Sequence, residues 1–291
     1  MTATPNCIRI TPEVGGFVPC SSTDWPGRLV AVVFLQGCPW RCGYCHNPEL
    51  QATRRPAVST APRWDEILAW LPRRQGLLDG VVFSGGEPSL DPALPAALAA
   101  VRELGFATGL HSAGLEPQRL ARLLPLLDWL GLDLKAGWVD YAGLTGVPAS
   151  AAKVRQSLAH VQAAVQAPSS PLQVELRTTW HPALVPWAGL HDLADELAAG
   201  VLATSAMVSA DSADAAPVGD VPVGSARPAP AAPGWDWVIQ RWRPLPMDGR
   251  PGLTPQRLAL EERLRASWRE PAPGQVEALA RPPALRVSWR G

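Results

Sequence analysis

Leu29-Val30-Ala31-Val32-Val33-Phe34-Leu35 is an apolar run. It leads through Gln36 into Gly37-Cys38-Pro39-Trp40-Arg41-Cys42-Gly43-Tyr44-Cys45-His46-Asn47-Pro48. A buried strand that empties into a cysteine loop sets the reading of the whole chain. The spacing is Cys-x3-Cys-x2-Cys. With only 5 cysteines in 291 residues, such a triplet arises by chance on the order of 1 time in 1,000. Three thiolates can hold three irons of a cubic four-iron cluster and leave the fourth iron open to a small molecule. Zinc is the first competing reading. Structural zinc takes four ligands at paired spacings, and His46, adjacent to Cys45, is poorly placed to close the tetrahedron. A disulfide is the second. It needs an oxidising compartment, and Met1–Ile10 has no charged segment followed by an apolar stretch.

Bulk properties narrow the class. Hydrophobic residues make up 47% and charged residues 18%, the balance of a folded globular protein. With 26 basic and 26 acidic side chains the net charge is zero, so no basic field marks a nucleic-acid or membrane partner. The longest apolar runs are too short to span a bilayer. The expected location is the cytoplasm. Lys135 and Lys153 are the only lysines, so a lysine at a pocket position is notable where arginine is the default cation.

Apolar β-rich runs alternate with helical patterns from about Arg28 to Arg243. Strands are predicted over Leu29–Leu35, Gly80–Ser84, Ala107–His111, Leu130–Leu134, Gln173–Thr179 and Trp237–Trp242. Helices are predicted near Arg63–Arg73, Pro92–Leu104, Pro117–Leu127, Ala151–Val165 and Leu190–Ala199. This alternation predicts an α/β fold with a parallel sheet, an incomplete (β/α)6 barrel. Functional groups of such a fold gather at the C-terminal ends of the strands. Cys38–Cys45, Ser84–Pro88, His111–Gly114 and Asp133–Lys135 all follow strands, so one rim should carry all four. The organisation expected is a lead-in over 1–27, the barrel over 28–245 and a C-terminal extension over 246–291. Ala203–Gly234, rich in Ala, Pro, Ser, Asp, Gly and Val, reads as a flexible insertion within the barrel. The extension holds an amphipathic helix, Gln256–Trp268, with Leu258, Leu260 and Leu264 as buried positions, and ends in the apolar Leu285–Trp289.

Val81-Val82-Phe83-Ser84-Gly85-Gly86-Glu87-Pro88 is the second motif. Two glycines let backbone approach a ligand closely, and Glu87 supports either the turn or the ligand. A tight strand-to-helix turn explains the same residues in isolation. Beside the cysteine loop, a backbone pocket for an α-amino group describes a site for S-adenosylmethionine.

At this point the sequence resembles the radical S-adenosylmethionine superfamily, and within it the activating proteins of the anaerobic, glycyl-radical ribonucleoside-triphosphate reductase. The matching stretches include Gly15–Pro19, Asp24–Gly27, Phe34–Cys38, Cys45–Leu50, Ser84–Pro88, Asp133–Ala136, Leu144–Gly146, Arg177–Thr179 and Gln240–Pro244. The resemblance implies one 4Fe-4S cluster on Cys38, Cys42 and Cys45, because Cys7 and Cys20 cannot build a second. It implies Tyr44 at the adenine, with ordinary loop packing as the alternative, and Gly85, Gly86 and Glu87 at the methionyl ammonium. It puts Asp133 and Lys135 at the cofactor rim, with a surface ion pair as the alternative. Arg177 would meet the cofactor carboxylate or pair with Glu175. His46, against the cluster, is the best placed of the histidines.

One turn departs from the family pattern. Related activases often carry Asp-Thr-Asn-Gly, with oxygen ligands for a monovalent cation, where this chain has His111-Ser112-Ala113-Gly114. The resemblance does not carry the cation site over, and His111 reads as a cofactor contact or a satisfied buried histidine.

The implied reaction is reductive cleavage of S-adenosylmethionine by an electron from flavodoxin or ferredoxin. A 5′-deoxyadenosyl radical then takes the Cα hydrogen of a glycine in the partner reductase. The alternatives are a radical enzyme acting on a small molecule or on another glycyl-radical enzyme, and, from another class, a non-catalytic metal-binding module.

Overall fold

The computed structural model describes residues 11–54, 59–168, 170–211, 235–245, 254–281 and 285–290. One sheet organises them, with its eight strands in sequence order. Strand β1 (Val14–Ser21) is antiparallel to β2 (Val30–Leu35). After β2 come β3 (Gly80–Gly85), β4 (Ala107–Ser112), β5 (Trp129–Asp133), β6 (Gln173–Trp180), β7 (Trp235–Arg241) and β8 (Leu285–Arg290), each parallel to the one before. Helices fill the crossovers: α1 (Trp64–Trp70), α2 (Leu94–Glu103), α3 (Pro117–Leu123), α4 (Tyr141–Thr145), α5 (Ser150–Gln166), α6 (Trp187–Asp211) and α7 (Pro255–Ser267). The result is the expected partial barrel.

Strand β2 shows why its sequence has no polar residue. Ala31, Val33 and Leu35 join the large core between sheet and helices. Val30 and Val32 point inward and pack with Trp25, Val82 and Trp129. A strand covered on both faces reads as a continuous apolar run rather than an alternation. Trp25 stacks on Trp129 with ring centroids 5.5 Å apart, so the residues before β2 plug the barrel interior.

The six predicted strands are β2 to β7, each within two residues of its expected ends. The sheet nevertheless extends past 28–245 on both sides. The lead-in contributes β1, whose two glycines and Pro19 mask its strand character; proline is tolerated there because β1 is an edge strand. The C-terminal extension contributes β8, formed by the apolar end Leu285–Trp289 plus Arg290. The insertion expected over Ala203–Gly234 needs correction at its start, because α6 continues to Asp211. Residues 212–234 lie outside the described residues. In α7 only Leu264 of the three expected core leucines is buried, while Leu258 and Leu260 are half-buried and Glu261 is fully buried.

Candidate functional site

Since β2 to β6 are parallel, their C-terminal ends share one rim, and the four sequence motifs meet there. The cysteine loop leaves β2 and is tied down at both ends by backbone. Gly37 N–H donates to the Leu50 carbonyl at 2.7 Å and Cys38 N–H to that of Gln51 at 3.2 Å. Arg41 N–H and Gly43 N–H donate to the carbonyls of Thr145 and Leu144 at 2.9 and 3.2 Å, which docks the middle of the loop on α4. Cys42 is buried, Cys38 and Cys45 are half-buried, and all three are free thiols.

The two glycines after β3 serve this loop. A Cβ on Gly86 would lie 2.4 Å from the Gly37 carbonyl oxygen and 2.7 Å from that of Leu50. At Gly85, with φ +125°, a Cβ would lie 2.3 Å from the Leu35 carbonyl oxygen. Gly86 N–H donates to Leu35 at 2.9 Å and Glu87 N–H to Gly37 at 2.8 Å. The missing side chains therefore let the Gly85–Glu87 turn press against the backbone that launches the cysteine loop.

Glu87 is 2% exposed. Its carboxylate accepts from Ser89 N–H at 3.1 Å, Ser112 Oγ–H at 2.8 Å and Ala113 N–H at 2.8 Å. Of the two roles open to it, supporting the turn is the one its partners occupy. Burial raises its pKa, against the pull of those donors.

Lys135 and Asp133 form an ion pair at 3.2 Å. The Lys135 ammonium lies 5.7 Å from the Tyr44 ring centroid. Tyr44 O–H donates weakly to the Lys135 carbonyl at 3.4 Å, and Lys135 N–H donates to Tyr141 Oη at 2.8 Å. Burial opposes the ammonium, but Asp133, Tyr44 and Cys42 outweigh it and hold its pKa well above the ordinary value. The pair thus belongs to the loop's wall, through Tyr44, and is not a free surface bridge.

Arg177 is 5% exposed and bonds Glu175 through Nε at 2.5 Å. Glu175 also receives Arg290 at 3.0 Å. Of the two partners expected for Arg177, the structure shows Glu175. Its other face meets His111. His111 Nε2 lies 2.8 Å from the Asp24 carbonyl, where as N–H it donates, and Arg177 Nη1 lies 3.1 and 3.3 Å from Nε2 and Nδ1, against the imidazole ring. Burial and the Arg177 charge lower the His111 pKa from 6.5 to about 4. His111 is thus neutral and partnered on the protein side, and it also lines the cavity described next. A cavity of about 240 Å³ opens between His46 on the loop side and His111, Arg177, Thr179 and Arg243 on the barrel side.

Residues 32–167 match the sequence profile of the radical SAM superfamily. The matched segment, just under half of the chain, is similar to a radical SAM domain. A protein of Methanocaldococcus jannaschii, named as a candidate glycyl-radical enzyme activating enzyme, is 25% identical over 184 residues, 62% of this chain and 73% of the relative. The pyruvate formate-lyase-activating enzyme of Clostridium pasteurianum is 38% identical over 117 residues, 38% of this chain and 48% of the relative. The chain thus spans about half of that enzyme's length. Among solved structures, Streptococcus suis SuiB bound to S-adenosylmethionine superposes with a TM-score of 0.50 at 12% identity, over 88% of this chain and 48% of that one; this likeness shows the fold alone.

Radical SAM proteins use a 4Fe-4S cluster and S-adenosylmethionine, and three free thiols on one backbone-anchored loop are a donor set that suits such a cluster. Cys38, Cys42 and Cys45 are three free thiols on the single loop that leaves β2. Among the described residues, no three His, Cys, Asp or Glu side chains converge on a single ion. His46, the candidate fourth zinc ligand, spends Nε2 on the Arg243 carbonyl at 2.7 Å. Burial, with Glu87 nearby, pushes the Cys38 thiol up to about 12, and burial raises Cys42 against the pull of Lys135. Loading iron on such thiols expels their protons.

Sequence reasoning missed Ser112, Tyr141, Asp24 and Arg257. Ser112 and Asp24 lay inside quoted motifs, so their neighbourhood was visible although their partners were not. The Arg257 guanidinium donates to the carbonyls of Cys42, Gly43 and Cys45. No local signal in its helix announces that role.

Proposed function

We propose that this chain activates a glycyl-radical enzyme and that its partner is the anaerobic ribonucleoside-triphosphate reductase. The carrying observation is the cysteine loop seated on the β2 end and braced by the Gly85–Glu87 turn, in a domain whose relatives include enzymes named for activating glycyl-radical partners. When bound, a reduced cluster and S-adenosylmethionine supply a carbon-centred radical able to take hydrogen from a substrate C–H bond.

The chain's own residues do the rest. Cys38, Cys42 and Cys45 hold the cluster. Backbone of Gly85 and Gly86, stiffened by Glu87, receives the methionyl ammonium, and Tyr44 packs on the adenine. The Asp133–Lys135 pair keeps that wall charged but internally balanced. Burial and the Arg177 charge keep His111 neutral, so the cavity they line offers an uncharged imidazole rather than an imidazolium. Trp25 and Trp129 fill the barrel below and exclude water from that side. Flavodoxin or ferredoxin in the cytoplasm supplies the electron.

Pyruvate formate-lyase is the second partner to consider, because enzymes named for activating it are 38% identical over part of this chain. The test is anaerobic reconstitution with iron and sulfide, then dithionite, S-adenosylmethionine and each partner in turn, read by electron spin resonance. A glycyl signal on the reductase alone is expected. A signal on pyruvate formate-lyase alone transfers the activity to that partner. Formation of 5′-deoxyadenosine with no glycyl signal on either protein points to a small-molecule substrate and overturns the proposal. A colourless protein that forms no deoxyadenosine is the outcome for a non-catalytic metal-binding module.

A further inference from the structure

The C-terminal helix α7 lies well beyond the radical SAM match, which ends at residue 167, yet it reaches the cysteine loop. Arg257, in its first turn, sends both terminal nitrogens into the loop backbone. One donates to the Gly43 carbonyl, with Cys42 O at 3.4 Å, and the other to Cys45 O at 2.9 Å. Leu260, one turn on, approaches within 3.8 Å of the position a Gly43 side chain would take. The segment after β7 adds a further tie, from His46 Nε2 to the Arg243 carbonyl at 2.7 Å.

The ion pair behind Arg257 is not built for stability. Glu261 is 0% exposed, and its Oε2 lies 3.7 Å from Arg257, too long for a hydrogen bond. Oε1 of Glu261 accepts instead from Leu245 N–H at 2.6 Å. Arg257 Nε and Glu261 Oε2 are both buried without a hydrogen-bond partner among the described residues. A buried pair of this quality costs about as much in lost hydration as it returns. What the pair does achieve is geometric. Glu261 holds α7 to the chain after β7, and the planar guanidinium fork gathers loop carbonyls spanning Cys42 to Cys45.

We propose that Arg257 is the positioning residue of the cluster loop. The C-terminal segment, docked through Arg257 and Glu261, holds the backbone of Cys42–Cys45 in the shape that presents its thiols to a cluster. It also places a buried cation behind that backbone. The proposal rests on the loop carrying a cluster, and not on which partner is activated.

The test uses the full-length chain and two readouts: amide exchange of Cys45 before iron loading, and the midpoint potential of the reconstituted cluster. Arg257→Gln removes a charge-assisted bond, so Cys45 exchange rises about tenfold or more, iron content falls, and the potential becomes more negative because a cation is lost. Arg257→Lys keeps the charge but not the fork. Its potential stays near wild type while Cys45 exchange still rises severalfold. Arg263, exposed on the same helix, is the control, and Arg263→Gln changes neither readout. If Arg257→Gln does not fold, Arg257→Met with Glu261→Gln removes both buried charges together while the amide oxygen still accepts from Leu245 N–H, and Cys45 exchange rises in that folded chain. Wild-type exchange in a folded Arg257→Gln or double variant, or in Arg257→Lys, overturns the proposal. A wild-type chain that takes up no iron overturns the cluster reading instead.

Discussion

Replacing Glu87 by alanine separates a residue that holds the fold from one that only touches cofactor. Glu87 is buried, and its carboxylate satisfies the amides of Ser89 and Ala113 and the hydroxyl of Ser112. The Ser112 hydroxyl can rotate away, but the two amides are fixed by the backbone. Each buried donor left without a partner costs about 1–3 kcal/mol, and relief of the buried carboxylate returns part of the sum, for a net loss of about 3 kcal/mol. That is a large share of the total for a domain with a stability of about 5–15 kcal/mol. The assay is urea unfolding of the iron-free chain, followed by the fluorescence of its 13 tryptophans. The midpoint should fall with an unchanged slope. Glu87→Gln keeps one oxygen and should lose roughly half as much.

The pH dependence of the same variants has a defined sign. Burial raises the Glu87 pKa above 4.5, so the folded chain keeps this proton to higher pH than the unfolded chain. The stability it contributes is full below 4.5 and is lost as pH rises through the raised value. Glutamine removes that decline. A loss below about 1 kcal/mol for Glu87→Ala in the iron-free chain would refute the reasoning, because orphaned amides could not be so cheap.

Other outcomes follow from the same geometry. His111, lowered from 6.5 to about 4, contributes stability that is present above 6.5 and lost as pH falls through 4, at most about 3 kcal/mol. In His111→Gln, whose amide can serve both Asp24 and Arg177, the difference in urea midpoint between pH 7.5 and pH 4 should shrink. Gly86→Ala sets a methyl against two backbone carbonyls that have no flexible end to yield. Thermal melting should drop, and iron bound per chain after reconstitution should fall severalfold. Cys42→Ala should abolish the broad visible absorbance of the reconstituted protein while leaving the unfolding free energy of the iron-free chain within about 1–2 kcal/mol of wild type, the scale of one small buried side chain.

The helical α6 and the edge strand β1 show where local reading stops. Over 203–211 the composition looks like linker, but the residues simply continue a helix begun at Trp187. In β1, Gly15, Gly16 and Pro19 carry turn signals, and only pairing with β2 makes the segment a strand. Glu261 is the sharpest case. A glutamate among arginines on a short helix reads as a solvated face, yet it is the most buried residue of α7.

The sequence by itself determined the cysteine spacing, the strand–helix alternation and the placement of four motifs after strands. All of these are local patterns, set by neighbours within a few residues along the chain. The tertiary structure decided which atoms those motifs spend on each other. It gave Glu87 to its own turn, Arg177 to Glu175 and His111, and the glycine pair to the cysteine loop. It also brought Arg257 to Gly43 across 214 residues of chain. Such contacts arise from packing distant segments around one sheet, and a burial partner that far away leaves no periodicity or spacing for the sequence to show.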